Sequence, residues 1–161
     1  MKKITKKFLN ELQQKALSVP RKRSHYNLHL ELSDSTNRLC ISLSKGTYIR
    51  PHRHSDKWEL ILALQGEIQI LIYDDQGVVI DTFVLSCDGD VSAFEMPANT
   101  WHSMFPITGT ATFFEVKPGP YIATVASDFA LWAPVEGDTG VEDFLGWSDS
   151  AVVGDKYIGR I

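Results

Sequence analysis

Residues 46 to 66 read Gly46-Thr-Tyr-Ile-Arg-Pro-His52-Arg-His54-Ser-Asp-Lys-Trp-Glu59-Leu-Ile-Leu-Ala-Leu-Gln-Gly66, two histidines one residue apart and a glutamate five residues further on, framed by glycines. On an extended strand, side chains two residues apart leave the same face, so the His52 and His54 imidazoles share one. Glu59 lies at an odd spacing from His54 and cannot share that face on a straight strand. The polar Ser55-Asp56-Lys57 can turn the chain and return Glu59 across a ladder. The segment is expected to fold as short strands and tight turns, with three donors converging from one hairpin. A fourth donor, His102, follows the turn residues Pro97 and Asn99. Three imidazoles and one carboxylate suit a divalent metal ion such as zinc, iron, nickel, manganese or cobalt, and leave two positions of an octahedral ion open to substrate or water.

The rest of the chain has the periodicity of an all-β protein. Tyr26 to Leu32 alternates apolar with polar residues, and Arg38 to Leu43, Trp58 to Leu64, Glu67 to Tyr73, Val78 to Leu85 and Thr110 to Val116 are aliphatic or β-branched runs. Asp74-Asp-Gln-Gly77 and Asp88-Gly-Asp90 supply turns between them. Short strands at close turn spacing predict an antiparallel sandwich or jelly-roll barrel. Ahead of them, Phe8, Leu9, Leu12, Ala16 and Leu17 recur at helical spacing between Thr5 and Ser18, and Pro20 closes a short amphipathic helix. At 161 residues and 43% hydrophobic content the chain makes one domain with a proper core. Its expected parts are an N-terminal helix in 1–20, packing on the barrel or on a second subunit, a barrel in 21–126, and a C-terminal extension in 127–161. Within the extension, Ser127 to Pro134 reads as one capped helical turn. The acidic, glycine-rich remainder, with Phe144, Trp147 and Tyr157, is expected to wrap the domain or a partner subunit.

These residues resemble the cupin family. Its first motif is a glycine, five residues, His-x-His, three or four residues, a glutamate, six residues and a glycine, and every spacing from Gly46 to Gly66 fits. The second motif is partly kept. Gly89 stands seven rather than five residues before Pro97, Asn99 replaces the usual glycine, and Pro106 occupies the place of the final asparagine. Asparagine tolerates a left-handed backbone, so the turn presenting His102 is expected to survive. The resemblance implies the cupin double-stranded β-helix, a jelly-roll barrel, with His52, His54, Glu59 and His102 as metal ligands. Residues 20 to 132 resemble more narrowly the WbuC-type cupin-fold metalloproteins, through Lys45 to His54, Trp58-Glu59, Tyr73 to Gly77, Trp101-His-Ser103 and Glu115-Val-Lys-Pro-Gly-Pro-Tyr121. That resemblance implies a metalloprotein in a setting of bacterial surface polysaccharide, including lipopolysaccharide O-antigen, without implying a reaction.

Tyr48 and Arg50 share the parity of the two histidines and are expected to face the same cavity as catalytic candidates. Arg50 could clamp a carboxylate or phosphate and Tyr48 could donate a hydrogen bond or a proton, or Arg50 could pair with Asp56 or Glu95 and merely stiffen the site. Asn27 and His29 line the cavity mouth or, the favoured reading, face water. A lone His25 is more often structural than a ligand. Trp58, Trp101 and Phe105 are expected in the core rather than as sugar platforms. Arg21-Lys22-Arg23 reads as a solvated linker.

A net charge of −4 and a pI near 5.7 argue against a nucleic-acid or anionic-membrane surface. No stretch has the apolar length to span a bilayer, and the basic start Met1 to Lys7 lacks the apolar run of a signal peptide. A cytoplasmic protein with free thiols at Cys40 and Cys87 is expected. The expected partners are a small molecule, with a saccharide as one candidate, and a second copy in a homodimer. Three functions are compatible with the motif: a metal-dependent isomerase or epimerase on a sugar or similar hydroxylated metabolite, a non-catalytic sugar-binding or sensing module, and an iron-dependent oxygenase. Replacing His54 by alanine is expected to strip the metal while the barrel stays folded on its core. A His54→Ala protein that retains full metal content by elemental analysis would refute the ligand assignment.

Overall fold

The computed structural model describes residues 1–159. The last two residues of the expected extension lie outside them. Helix α1 (Lys6–Ser18) is capped by Thr5, whose hydroxyl accepts from the Phe8 amide at 3.2 Å. It buries Leu9, Leu12 and Ala16 against β1 (Arg23–Asn27) and β2 (Thr36–Ser44), so it packs on the barrel. Two polar contacts fix its register: Ser24 Oγ donates to the Leu12 carbonyl at 2.7 Å, and Gln13 Nε2 to Thr112 Oγ1 at 3.3 Å.

The remaining strands are β3 (Glu59–Gln65), β4 (Glu67–Tyr73), β5 (Val79–Ser86), β6 (Ala93–Met96), β7 (Trp101–Pro106) and β8 (Thr110–Pro118). They form two antiparallel sheets, one ordered β1-β2-β8-β3-β6 and one ordered β5-β4-β7. Alternation along each strand sends Leu43, Ile61, Phe113, Ile68, Ile70, Met104 and Leu85 into the space between the sheets. The opposite face of β4 and β7 is also apolar, and Leu71, Tyr73, Trp101 and Phe105 join a second core with Tyr48, Phe144 and Tyr157. The C-terminal extension supplies its cover. Helix α2 (Val141–Ser148) inserts Phe144, fully buried among Tyr48, Phe105, Trp147 and Tyr157.

Arg21 and Arg23 both donate to the Glu136 carboxylate, at 2.7 and 2.9 Å. Arg21 and Glu136 are well exposed, so their pair is worth under about 1 kcal/mol, whereas burying a phenylalanine is worth roughly 1.5–3 kcal/mol. Phe144 therefore anchors the extension. The arginines expected in a solvated linker instead tie the start of the barrel to its end.

Two local expectations need correction. The strand foreseen from Tyr26 to Leu32 runs instead from Arg23 to Asn27. Beyond it His29 takes over the ladder, its Nδ1 accepting from the Arg38 amide at 3.0 Å, and the backbone bends. The helical turn foreseen over Ser127 to Pro134 is a short 3-10 turn at Ala126–Asp128. Its last residue and those after it pair with the histidine segment: Arg53 N donates to Asp128 O at 3.0 Å and Ala130 N to Pro51 O at 2.9 Å. Trp101 and Phe105 are buried as expected, but Trp58 is 39% exposed.

No described helix is long and apolar enough to cross a membrane. Gly66 joins β3 to β4 at φ +76°, and a Cβ there would stand 2.5 Å from the Thr110 carbonyl oxygen. Gly66→Ala should therefore cost roughly 1–3 kcal/mol of stability in urea unfolding. An unchanged midpoint would contradict this close approach.

Candidate metal centre

The His52 segment is not a regular strand. It is held between β7 on one side and the chain after the 3-10 turn on the other. His52 and His102 exchange both backbone hydrogen bonds, His52 N to His102 O at 3.1 Å and His102 N to His52 O at 2.9 Å. Their rings are thereby brought to 4.4 Å between centroids. The Pro97 to Thr100 turn is tied in as well. Asn99 adopts φ +66°, the left-handed backbone expected of it, and its amide donates to the His54 carbonyl at 2.7 Å. Glu59, the first residue of β3, comes across from the third side after the bend at Ser55-Asp56.

His52, His54, Glu59 and His102 thus line one end of a cavity of about 750 Å³ between the sheets. His54 Nε2 lies 3.2 Å from Glu59 Oε1, and His102 Nε2 lies 3.6 Å from Glu59 Oε2. His52 Nδ1 donates to the Arg50 carbonyl and His102 Nδ1 to the Thr100 carbonyl, each at 3.0 Å. With Nδ1 protonated, each ring keeps a lone pair on Nε2, the arrangement that orients metal-ligating imidazoles. His102 Nε2 and Glu59 Oε2 are buried without a hydrogen-bond partner. Two adjacent orphaned acceptors at depth are costly, and a divalent cation satisfies both.

The donor set therefore fits an ion of the kind that imidazole and carboxylate hold. Its present arrangement is not a closed cage. No group of three His, Cys, Asp or Glu side chains among the described residues has metal-holding geometry. Glu59 is instead engaged by its neighbours. Lys117 Nζ donates to Glu59 Oε1 at 2.9 Å and also lies 2.8 Å from Glu115 Oε1.

Glu115 and Lys117 are the site residues that the motif alone did not reveal. Both point inward from β8 and line the cavity. Their signal in the sequence was two charges two residues apart in an apolar strand, which must share one face.

Burial sets the charges of this wall. It lowers the proton affinity of His52 and of His102 and keeps both neutral. Burial also opposes the charge on Glu59, but the His54 contact and Lys117 outweigh it and hold the carboxyl below the usual range. Glu115 moves the other way, raised by burial and then by the negative charge of Glu59. Burial opposes the Lys117 charge too, yet Glu115 and Glu59 together hold its ammonium above the usual lysine range.

Tyr48 and Arg50 are not on the cavity wall. Tyr48 turns into the second core, its hydroxyl donating to the Pro134 carbonyl at 2.6 Å. Arg50 donates to the Ala130 carbonyl through Nε and Nη2, at 3.1 and 2.7 Å, with its guanidinium over the Phe129 ring. Parity failed because Thr47 to Pro51 is irregular, and Ile49 lines the cavity in their place. Neither faces the cavity as parity predicted, and both position the segment that flanks His52. Asn27 and His29, expected to face water, line the cavity, as does His25.

Residues 4–85, just over half of the chain, match the family described as Domain of unknown function (DUF6016), and the chain belongs to that family. No curated protein sequence matches it. Among solved structures, oxalate oxidase in complex with the substrate analogue glycolate is 17% identical with a TM-score of 0.54, over 67% of this chain and 56% of that one. The chain thus spans little more than half the length of that relative. The TT1209 protein from Thermus thermophilus is 17% identical with a TM-score of 0.51, over 68% of this chain and 92% of that one. At such identities the likeness is one of fold, and the fold is the all-β cupin barrel.

The buried imidazoles set a pH dependence. In the unfolded chain His52 and His102 protonate near the ordinary value of about 6.5, while in the folded chain they resist protonation, so the unfolded state binds more protons as pH falls below neutral. Two imidazoles lose stability through that window, against the single Glu115 carboxyl, whose raised proton affinity in the fold acts in the opposite sense above its unfolded value of about 4.3. Glu59, held low in the fold, adds a further loss only once pH falls below its unfolded value of about 4.3. Metal-free protein should melt at lower temperature at pH 5.5 than at pH 7.5, on the order of this histidine window, with the difference reduced in His102→Asn. A melting temperature that does not change over this range would contradict neutral buried imidazoles.

Proposed function

We propose that this DUF6016 protein is a metal-dependent enzyme of cupin fold that acts on a sugar or similar hydroxylated metabolite as an isomerase or epimerase. His52, His54, Glu59 and His102 would hold the ion. The observation that carries the reading is the orphaned pair His102 Nε2 and Glu59 Oε2 at the end of a cavity large enough for a metabolite. When bound, the ion supplies electrophilic polarisation of a carbonyl or holds two substrate oxygens.

The chain's own groups supply the rest. The Arg50 and Thr100 carbonyls fix the His52 and His102 rings so that neither turns away from the cavity. Lys117 locks Glu59 and Glu115 beside each other. Glu115, whose proton affinity is raised, can accept a proton from a carbon next to a carbonyl and return it to the neighbouring carbon, or leave that carbon to be reprotonated on its other face by a second donor. Either outcome rearranges the substrate without oxidant or water, which is why isomerisation or epimerisation fits better than hydrolysis.

The resemblance of Glu115-Val-Lys-Pro-Gly-Pro-Tyr121 and the histidine segment to WbuC-type proteins supports a setting in surface-polysaccharide biosynthesis, including lipopolysaccharide. We further assign the protein to the cytoplasm as a homodimer. Exposed Leu30, Leu32, Tyr121, Ile122 and Leu131 support the dimer. A second reading rests on Lys117, which neutralises Glu59 at 2.9 Å with no ion at all, as a non-catalytic binding module would allow.

Elemental analysis of protein purified without a histidine tag or added metal tests the proposal. Near-stoichiometric zinc, nickel or manganese is expected, lost in His52→Ala and in His102→Ala. Stoichiometric iron would redirect the reading to oxygen chemistry, and no metal under any condition would favour the binding module. Glu115→Gln should keep its metal and lose on the order of a hundredfold in the rate of solvent-deuterium exchange into a panel of aldoses and ketoses, the scale of an acid–base group. Unchanged exchange would remove Glu115 from the reaction.

A further inference from the structure

The end of the cavity beneath β1 and β2 carries a second set of unsatisfied groups, separate from the histidines. Asn37 is buried, 2% exposed, and its Nδ2 has no hydrogen-bond partner. Asn27 Oδ1 is buried and unpartnered as well. Both residues line the cavity. Asn37 sits opposite Lys117 in the β2–β8 register, and Lys117 in turn reaches Glu59. Asn37 therefore stands two strands from Glu59, about 10 Å across the sheet. Asn27 is opposite Leu39, one step along the same face.

One amide donor and one amide acceptor left unpaired at depth are costly unless something completes them. A hydroxyl group does both, accepting from Asn37 and donating to Asn27. A carboxylate or phosphate would only accept and would meet the Asn27 oxygen as an unpaired like dipole. Of the cations that line the cavity, Lys117 is engaged by Glu59 and Glu115, Arg21 and Arg23 are engaged by Glu136, and Lys15 is exposed on the helix.

We propose that Asn27 and Asn37 form a second recognition locus that takes hydroxyl groups at the far end of the ligand. The site is then built for a polyhydroxylated sugar or sugar acid rather than for a short acid that reaches the metal alone. This rests on the metal reading above.

The test uses the full chain loaded with cobalt(II), titrated calorimetrically with a panel of straight-chain aldonic acids and with lactate. Lactate shares the chelating hydroxy-acid end and lacks the hydroxylated chain. At least one aldonic acid should bind roughly tenfold or more tighter than lactate, the scale of one or two hydrogen bonds. That advantage should disappear in Asn37→Leu and fall in Asn27→Leu, with lactate affinity unchanged. Both variants, metal-free, should melt no lower than wild type, because each removes an unpaired polar group.

No advantage for any aldonic acid, or one that survives both substitutions, overturns the locus and leaves the metal reading standing. A large drop in melting temperature in either variant also overturns it, by assigning the amides a structural role. A wild-type protein that takes up no cobalt overturns both.

Discussion

The site depends first on the paired backbone of His52 and His102. These two residues exchange hydrogen bonds of 3.1 and 2.9 Å, and among the described residues nothing else joins the irregular histidine segment so directly to a regular strand. A two-way antiparallel pair fixes both position and rotation of the backbones it joins. It therefore sets where both imidazoles stand before any side-chain contact is made. Asn99 adds the third tether through the His54 carbonyl, which is why a left-handed residue is needed at that turn. The far flank is closed by residues 128 to 130, so the C-terminal extension helps build the metal end of the barrel as well as covering the second core.

Around this frame lies a compact arrangement of charge. Glu59 and Glu115 are buried beside the half-buried Lys117, with neutral His52 and His102 next to them. Glu59 is held as a carboxylate by the His54 contact and Lys117 against the cost of burial, while burial and Glu59 raise the proton affinity of Glu115 beside the same ammonium. Buried ions are tolerated when paired and hydrogen-bonded, and costly otherwise. The same groups explain why a cage is not already closed: Glu59 faces a lysine and a histidine at once, and an ion must compete with Lys117 for it. Metal affinity here is a contest between two cations for one carboxylate.

Much of this was legible in the sequence because its spacing has direct geometric meaning. The Gly46 to Gly66 pattern located three donors, and the turn at Asn99 located the fourth. All four line one cavity end. The periodicity of the aliphatic runs pointed to the two-sheet fold and the amphipathic helix. Parity misled at Tyr48 and Arg50, because it presumes a regular strand and the chain before Pro51 is not one. It misled again at the first strand, where a hydrogen bond accepted by the His29 side chain from the Arg38 amide replaced the ladder. Such a substitution has no periodic trace. Glu115 and Lys117 were visible as inward charges on β8, but only the register of β8 against β2 and β3 shows that they meet Glu59.

The central claim is that one ion is held by three imidazole nitrogens and the Glu59 carboxylate. Anomalous diffraction at the absorption edge of whichever metal accompanies the purified protein locates that ion without reference to activity. The account predicts a single peak about 2.0–2.3 Å from Nε2 of His52, His54 and His102 and from a Glu59 oxygen, with Lys117 turned towards Glu115. A metal-replete crystal with no peak there, or with Lys117 still paired to Glu59 and the ion elsewhere, would contradict it.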